Sequence, residues 1–218
     1  MKLSIQALYT LHLFNDFSDD LPFLPLPIPE GMGRKKALQE ALHQGYEELG
    51  RLELMKDGQP TEECLLIGQT LREYHQASYH CRIDHRLAVA PKVDSFGRMC
   101  VLIRQVDEKN YQVERHGSIL LLSALIASHE FLQNVDDTLK DYVKTDWEAE
   151  SFFRLYVLDG QSPALRIECR REHDFFEDSL YYLKEDHIYE FDMVEQRERS
   201  IDSEVLKTLI IKKLEVTI

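Results

Sequence analysis

Residues 99–132 read MCVLIRQVDEKNYQVERHGSILLLSALIASHEFL, and this stretch decides the fold class. Residues 99–106 and 111–115 are short apolar runs on either side of the polar turn Asp107-Glu108-Lys109-Asn110, the pattern of two antiparallel strands. Ser118 stands where it can cap a helix over 119–132. Leu120, Leu121, Leu122, Leu125 and Ile126 leave that helix almost no polar face, so it should be covered nearly all round. The same order recurs downstream: 180–184, a turn, 188–194, then a helix over 202–214 carrying Val205, Leu206, Leu209, Ile210 and Leu214. Residue identity between the two copies is weak, so the repeat is one of topology.

Upstream, 79–89 reads as one strand with Cys81, Ile83, Leu87 and Val89 on one side, followed by the turn Asp94-Ser95-Phe96-Gly97. Three helices precede it. The first spans 4–17, capped by Ser4, with Ile5, Leu8, Leu11 and His12 or Tyr9 at helical spacing. The second spans 34–51, with Leu38, Leu42, Tyr46 and Leu49 on one face and a stop near Gly50. The third runs from the cap Thr61, past Glu62 and Glu63, to about His75. Between the first two lies Asp19-Asp20-Leu21-Pro22-Phe23-Leu24-Pro25-Leu26-Pro27-Ile28-Pro29, whose prolines bar a helix. It is expected as an extended strap in which Leu24, Leu26 and Ile28 seal the bottom of the core. Further strands are expected at 152–158 and 164–171, the latter alternating Leu165, Ile167, Cys169 against a wet face of Arg166, Glu168, Arg170. The segment 134–150 has helical spacing but could break into short pieces. The expected fold is α+β: one domain over 1–218 built on a central, mostly antiparallel sheet with quasi-two-fold halves (1–133 and 134–218) and flanking helices.

The chain has 218 residues, 44% of them hydrophobic, enough for one sizeable core or two small ones. Lys and Arg total 26 against 39 Asp and Glu, a formal charge of −13, which repels a phosphate backbone and argues against nucleic acid. The run 119–127 falls far short of the roughly 20 apolar residues of a membrane helix, and Gln6 and His12 interrupt any leader-like stretch. A cytoplasmic protein without membrane insertion is the expectation. The four cysteines, at 64, 81, 100 and 169, show no paired spacing and read as reduced, buried thiols.

No phosphate-binding glycine loop, serine elbow, His-Glu-x-x-His or Cys-x-x-Cys occurs. His75, His80, Cys81 and His85 are all zinc-ligand types, but on a single strand His80 and Cys81 face opposite ways and Cys81 lies roughly 13 Å from His85. Structural histidines are the better reading. Glu172-His173-Asp174 and Glu185-Asp186-His187 set acids beside imidazole at strand connections, where charge is expected anyway. Cys100, among Val101, Leu102 and Ile103, reads as core. No catalytic residue, metal or cofactor is assigned. Aromatics crowd the second half, among them Phe152, Phe153, Tyr156, Phe175, Phe176, Tyr181, Tyr182, Tyr189 and Phe191. They fill a two-sided sheet or leave a docking surface exposed.

Leu3-Ser4 with Leu8 and Leu11, the strap 21–29, the helix 42–50 ending in Gly, and the repeated strand-and-helix halves together resemble the EspG-type chaperones of type VII (ESX) secretion and related firmicute proteins. The resemblance spans most of the chain. It implies a non-enzymatic cytosolic chaperone or targeting factor that grips a helical-hairpin substrate of the WXG type or the N-terminal domain of an LXG toxin. It also implies that the loop joining early sheet strands touches the substrate, here Lys92, Asp94, Phe96 and Arg98, with Phe96 foremost. The competing expectation is an immunity protein, an acidic binder that plugs a basic toxin site by charge complementarity.

Overall fold

In a computed structural model the protein is described over residues 1–17, 20–28, 31, 33–132, 164–171, 174–184 and 187–217. The chain runs β1 (Leu3–Ser4), α1 (Ile5–Phe14), α2 (Arg34–Arg51), β2 (Met55–Lys56), β3 (Gln59–Pro60), α3 (Glu62–Gln76), β4 (Tyr79–Ile83), β5 (Leu87–Ala90), β6 (Met99–Gln105), β7 (Asn110–Gly117) and α4 (Ser118–Ser128). After a 3₁₀ turn at Glu130–Leu132 come β8 (Ala164–Arg171), β9 (Asp174–Lys184), β10 (His187–Asp192), β11 (Arg197–Ile201) and α5 (Ser203–Lys213). The fold is α+β, with a nine-stranded sheet in the order β1-β7-β6-β5-β4-β8-β9-β10-β11 and a separate β2-β3 pair. The pairs β1–β7, β4–β8, β8–β9, β9–β10 and β10–β11 are antiparallel.

The topological repeat is larger than the sequence suggests. Four consecutive strands, β4 to β7, precede α4, and four more, β8 to β11, precede α5. The sequence reading missed β11 because Arg197, Glu198, Arg199 and Ser200 are all exposed and carry no alternation, as suits the last strand of a sheet. That omission shifts the equivalence: β10, β11 and α5 match β6, β7 and α4 in element order. The readings at 134–150 and 152–158 lie outside the described residues, as do Glu172, His173, Glu185 and Asp186.

The chain divides into two compact units, Met1–Ala77 with Arg86–Ala88 and Val101–Arg115, and Ser78–His85 with Val89–Cys100 and His116–Ile218. In the first, Ser4 caps α1 as expected, its Oγ accepting the Ala7 N–H at 3.1 Å. Glu48 of α2 accepts both the Ser4 N–H, at 2.8 Å, and the Ser4 hydroxyl. Thr61 caps α3. Helix α2 runs past Gly50, and the left-handed residue that ends it is Glu53, at φ 58°. The reason is a fold-back: Glu53 N–H bonds Gly50 O, Leu54 N–H bonds Leu49 O at 2.9 Å, and both leucines are fully buried. The strap is also corrected. It turns at Leu21–Leu24, with Phe23 at φ 61° and Tyr74 donating to Pro22 O at 2.6 Å. Among its described residues Leu21, Pro22 and Pro27 are buried, while Leu24, Leu26 and Ile28 are only half-buried.

The expected strand 79–89 is two strands, because Asp84 and His85 both take left-handed φ angles, 46° and 62°, and make a hairpin turn. The turn is fixed by Asp84, whose carboxylate accepts the Arg166 N–H at 2.8 Å and meets His129 Nε2 at 3.0 Å. Ser118 does not cap α4 with its side chain. It is the first helical residue, and its N–H instead donates to Arg98 O at 2.8 Å. The helix stops at Ser128 because His129 turns extended there. Asp202 caps α5 through the Val205 N–H at 2.8 Å. Among the described residues no helix is long and apolar enough to cross a membrane.

Candidate functional site

Lys92, Asp94, Phe96 and Arg98 sit together on the eight-residue connection between β5 and β6, in the second unit. The connection is short and heavily braced. Asp94 is its keystone: Oδ1 accepts the N–H groups of Arg98 and Met99, both at 2.8 Å, Oδ2 accepts that of Phe96 at 3.3 Å, and its carbonyl accepts that of Gly97 at 3.1 Å. Val93 N–H reaches Met99 O at 3.0 Å, which closes the base of the loop. Gly97 needs its residue type, since at φ 66° any Cβ would be strained and would press on Lys92 at 3.1 Å. Lys92 in turn lies 3.8 Å from Glu215, beyond α5, and Glu215 also approaches Arg171 at 4.0 Å.

These bonds divide the four residues by role. The Asp94 carboxylate is spent inside the loop, Lys92 is drawn toward Glu215, and Arg98 has both its backbone groups bonded. Phe96 is what the brace presents: it is 76% exposed, the most exposed of the large apolar residues among the described residues. A rigid turn that holds an aromatic ring in water loses little further order on binding, which favours contact with a partner.

Backbone donors hold the carboxyls of Asp94, Asp107 and Asp192 below their ordinary value of 3.8, chiefly those of Met99, Lys109 and Glu195 respectively. Because the folded values are depressed, the stability these turns contribute is complete above the unfolded value and is lost as pH falls through the folded ones. An acid titration followed by amide exchange is expected to show Arg98, Met99, Lys109 and Glu195 losing protection only below about pH 3.8.

A second concentration of charge crosses β4, β8 and β9, where the sequence suggests a wet face. Arg82 grips Glu168 with two prongs, 2.6 and 2.7 Å, and Glu168 is 4% exposed. Arg166 grips Asp178 the same way at 2.9 and 2.7 Å and stands 3.6 Å from Glu168. His85 lies 3.8 Å from Glu168. The network is structural: each carboxylate faces a fixed guanidinium. His75 packs against Phe17 and His12, at 4.2 and 4.7 Å between ring centroids, while Cys81 donates to Lys213 O at 3.1 Å. Among the described residues no three His, Cys, Asp or Glu side chains form a metal-sized cluster. Of the second-half aromatics, Tyr181 is fully buried, Phe176 is 41% exposed, and Tyr182 and Tyr189 stack at 5.9 Å. Phe152, Phe153 and Tyr156 are outside the described residues.

Sequence reasoning missed the Arg82–Glu168 pair and its extension through Arg166. The one available signal was the pairing of opposite charges at alternate positions of 164–171, which needs β4 as a neighbour to acquire meaning. Residues 35–218 match the model of a family described as a domain of unknown function, DUF5081. No curated protein matches the chain.

Proposed function

We propose that this chain, which belongs to the DUF5081 family, is a non-enzymatic cytoplasmic chaperone or targeting factor that binds a helical-hairpin substrate of a type VII secretion system, of the WXG or LXG sort. The observation that carries the reading is Phe96, a large aromatic residue 76% exposed on a loop braced by the Asp94 carboxylate. The antiparallel sheet with its doubled order of four strands and a helix supports the same reading, since it is the architecture the resemblance implies. A free helical hairpin exposes an apolar stripe that self-associates, and an apolar ring on a firm support can cover part of it. Lys92 and Arg98 would flank that contact with positive charge.

Phe96→Ala is expected to leave chemical-denaturation stability within about 0.5 kcal/mol, as an exposed loop substitution should, while weakening capture of a helical-hairpin domain by about tenfold or more, as loss of a central aromatic anchor does. Isothermal titration with a purified hairpin domain reads the second effect. The formal charge of −13 supports a second reading, an immunity protein that blocks a basic toxin domain. Retention of a toxin's catalytic domain, with no affinity for helical hairpins, would replace the first reading by the second.

A further inference from the structure

Cys81 and Cys169 face each other as register partners on the antiparallel pair β4–β8, and both are fully buried with free thiols. Direct partners in an antiparallel ladder have Cα atoms about 4.5 or 5.5 Å apart. Either separation falls within the roughly 4.4–6.8 Å that a disulfide spans. We propose that Cys81 and Cys169 are a cross-strand dithiol that closes to a disulfide when the chain folds under oxidising conditions, a redox-dependent staple across β4 and β8.

The surroundings accommodate both states. In the reduced state the Cys81 thiol donates to Lys213 O at 3.1 Å, but Tyr79 OH donates to the same carbonyl at 2.7 Å. Loss of the Cys81 proton therefore leaves that buried acceptor bonded, and closure orphans no polar group there. The register of β8 against β9 shifts between Cys169 and Arg170, an irregularity that gives the strand freedom to adjust its twist at the bond.

With a low-molecular-weight disulfide such as oxidised glutathione, the thiolate of one of the two cysteines attacks one glutathione sulfur, the glutathione S–S bond breaks, and one glutathione thiolate leaves. The thiolate of the other cysteine then attacks the protein sulfur of the mixed disulfide and displaces the second glutathione. The two protein thiols are oxidised by one electron each, the reagent takes up both electrons, and the two thiol protons end on the two glutathiones. Full burial of both sulfurs makes the exchange a folding-stage event and shields the finished bond from reductant.

The test is to refold the full chain from denaturant in buffers that run from reduced to oxidised glutathione, then acid-quench and map the peptides without reduction. The expected product is a monomer lighter by two hydrogens, joined only at Cys81–Cys169, with native circular dichroism and a Tm above that of the reduced protein. Dithiothreitol added after denaturation should restore four thiols. A Cys64→Ala/Cys100→Ala variant should give the same bond, and a Cys81→Ala/Cys169→Ala variant should have a Tm that ignores the glutathione ratio. A folded protein that keeps free thiols at Cys81 and Cys169 in oxidised glutathione, or whose bond engages Cys64 or Cys100, overturns the proposal.

Discussion

Glu168→Ala is expected to cost about 3 kcal/mol of folding free energy, read as a lower midpoint in urea with an unchanged slope. Glu168 is 4% exposed and meets two guanidinium groups, Arg82 through a two-pronged bond and Arg166 at 3.6 Å. Removing one partner of a buried ion pair costs about 3–5 kcal/mol because the other charge stays behind. The lower end applies here, since the Arg82 and Arg166 side chains are 29% and 26% exposed and Arg166 keeps its grip on Asp178. Glu168→Gln should fall between wild type and Ala, because the amide fills the space and accepts one bond. Replacing the pair together, Arg82→Met with Glu168→Leu, should recover most of the loss, as apolar substitutes for a whole buried pair often do. If the double variant is as unstable as Glu168→Ala alone, the cost lies in packing and not in the stranded charge.

Gly45→Ala should also destabilise, by about 2 kcal/mol, although alanine is the better helix former by about 1 kcal/mol. At Gly45 the helices α1 and α2 touch without a side chain between them: an added Cβ would overlap both Thr10 Oγ1 and Gln6 O. The first contact can be relieved by turning the Thr10 hydroxyl away, at the loss of its bond to Gln6 O. The second is backbone and can be relieved only by parting the helices. Gly50→Ala, in the same helix with nothing within 4 Å of its Cβ position, should instead stabilise by about 0.5–1 kcal/mol. Opposite signs at two glycines of one helix, measured by thermal or urea unfolding, would separate close approach from propensity. Thr10→Ala combined with Gly45→Ala should rescue only part of the loss.

What the sequence made legible was local. The caps at Ser4 and Thr61, the bounds of α2 and the alternation of Leu165, Ile167 and Cys169 follow from spacing and short-range chemistry. Features that depend on a neighbour were hidden. The hairpin at Asp84-His85 requires Asp84 to meet Arg166 and His129, two groups far along the chain. The way α2 ends, with Glu53 left-handed and Leu54 folded back to bond Leu49 O, depends on the burial of both leucines and was hidden too. The supposed wet face of β8 became a charge network once β4 supplied Arg82. At the candidate site the four residues are those of the loop that the resemblance implies for substrate contact. Their division into a braced carboxylate and a presented ring came from the hydrogen bonds of Asp94, which a turn motif does not reveal.

The proposed docking of a helical hairpin on Phe96 of the β5–β6 loop has a direct test. Titration calorimetry of the full chain against a purified WXG-type hairpin or LXG N-terminal domain tests it, with wild type, Phe96→Ala and Asp94→Ala side by side. Binding by wild type, a loss of about tenfold or more for Phe96→Ala at unchanged stability, and a loss for Asp94→Ala accompanied by reduced amide protection in residues 92–98, is the result this account predicts. Equal affinity of all three proteins, or heat only with a toxin's catalytic domain, would contradict it.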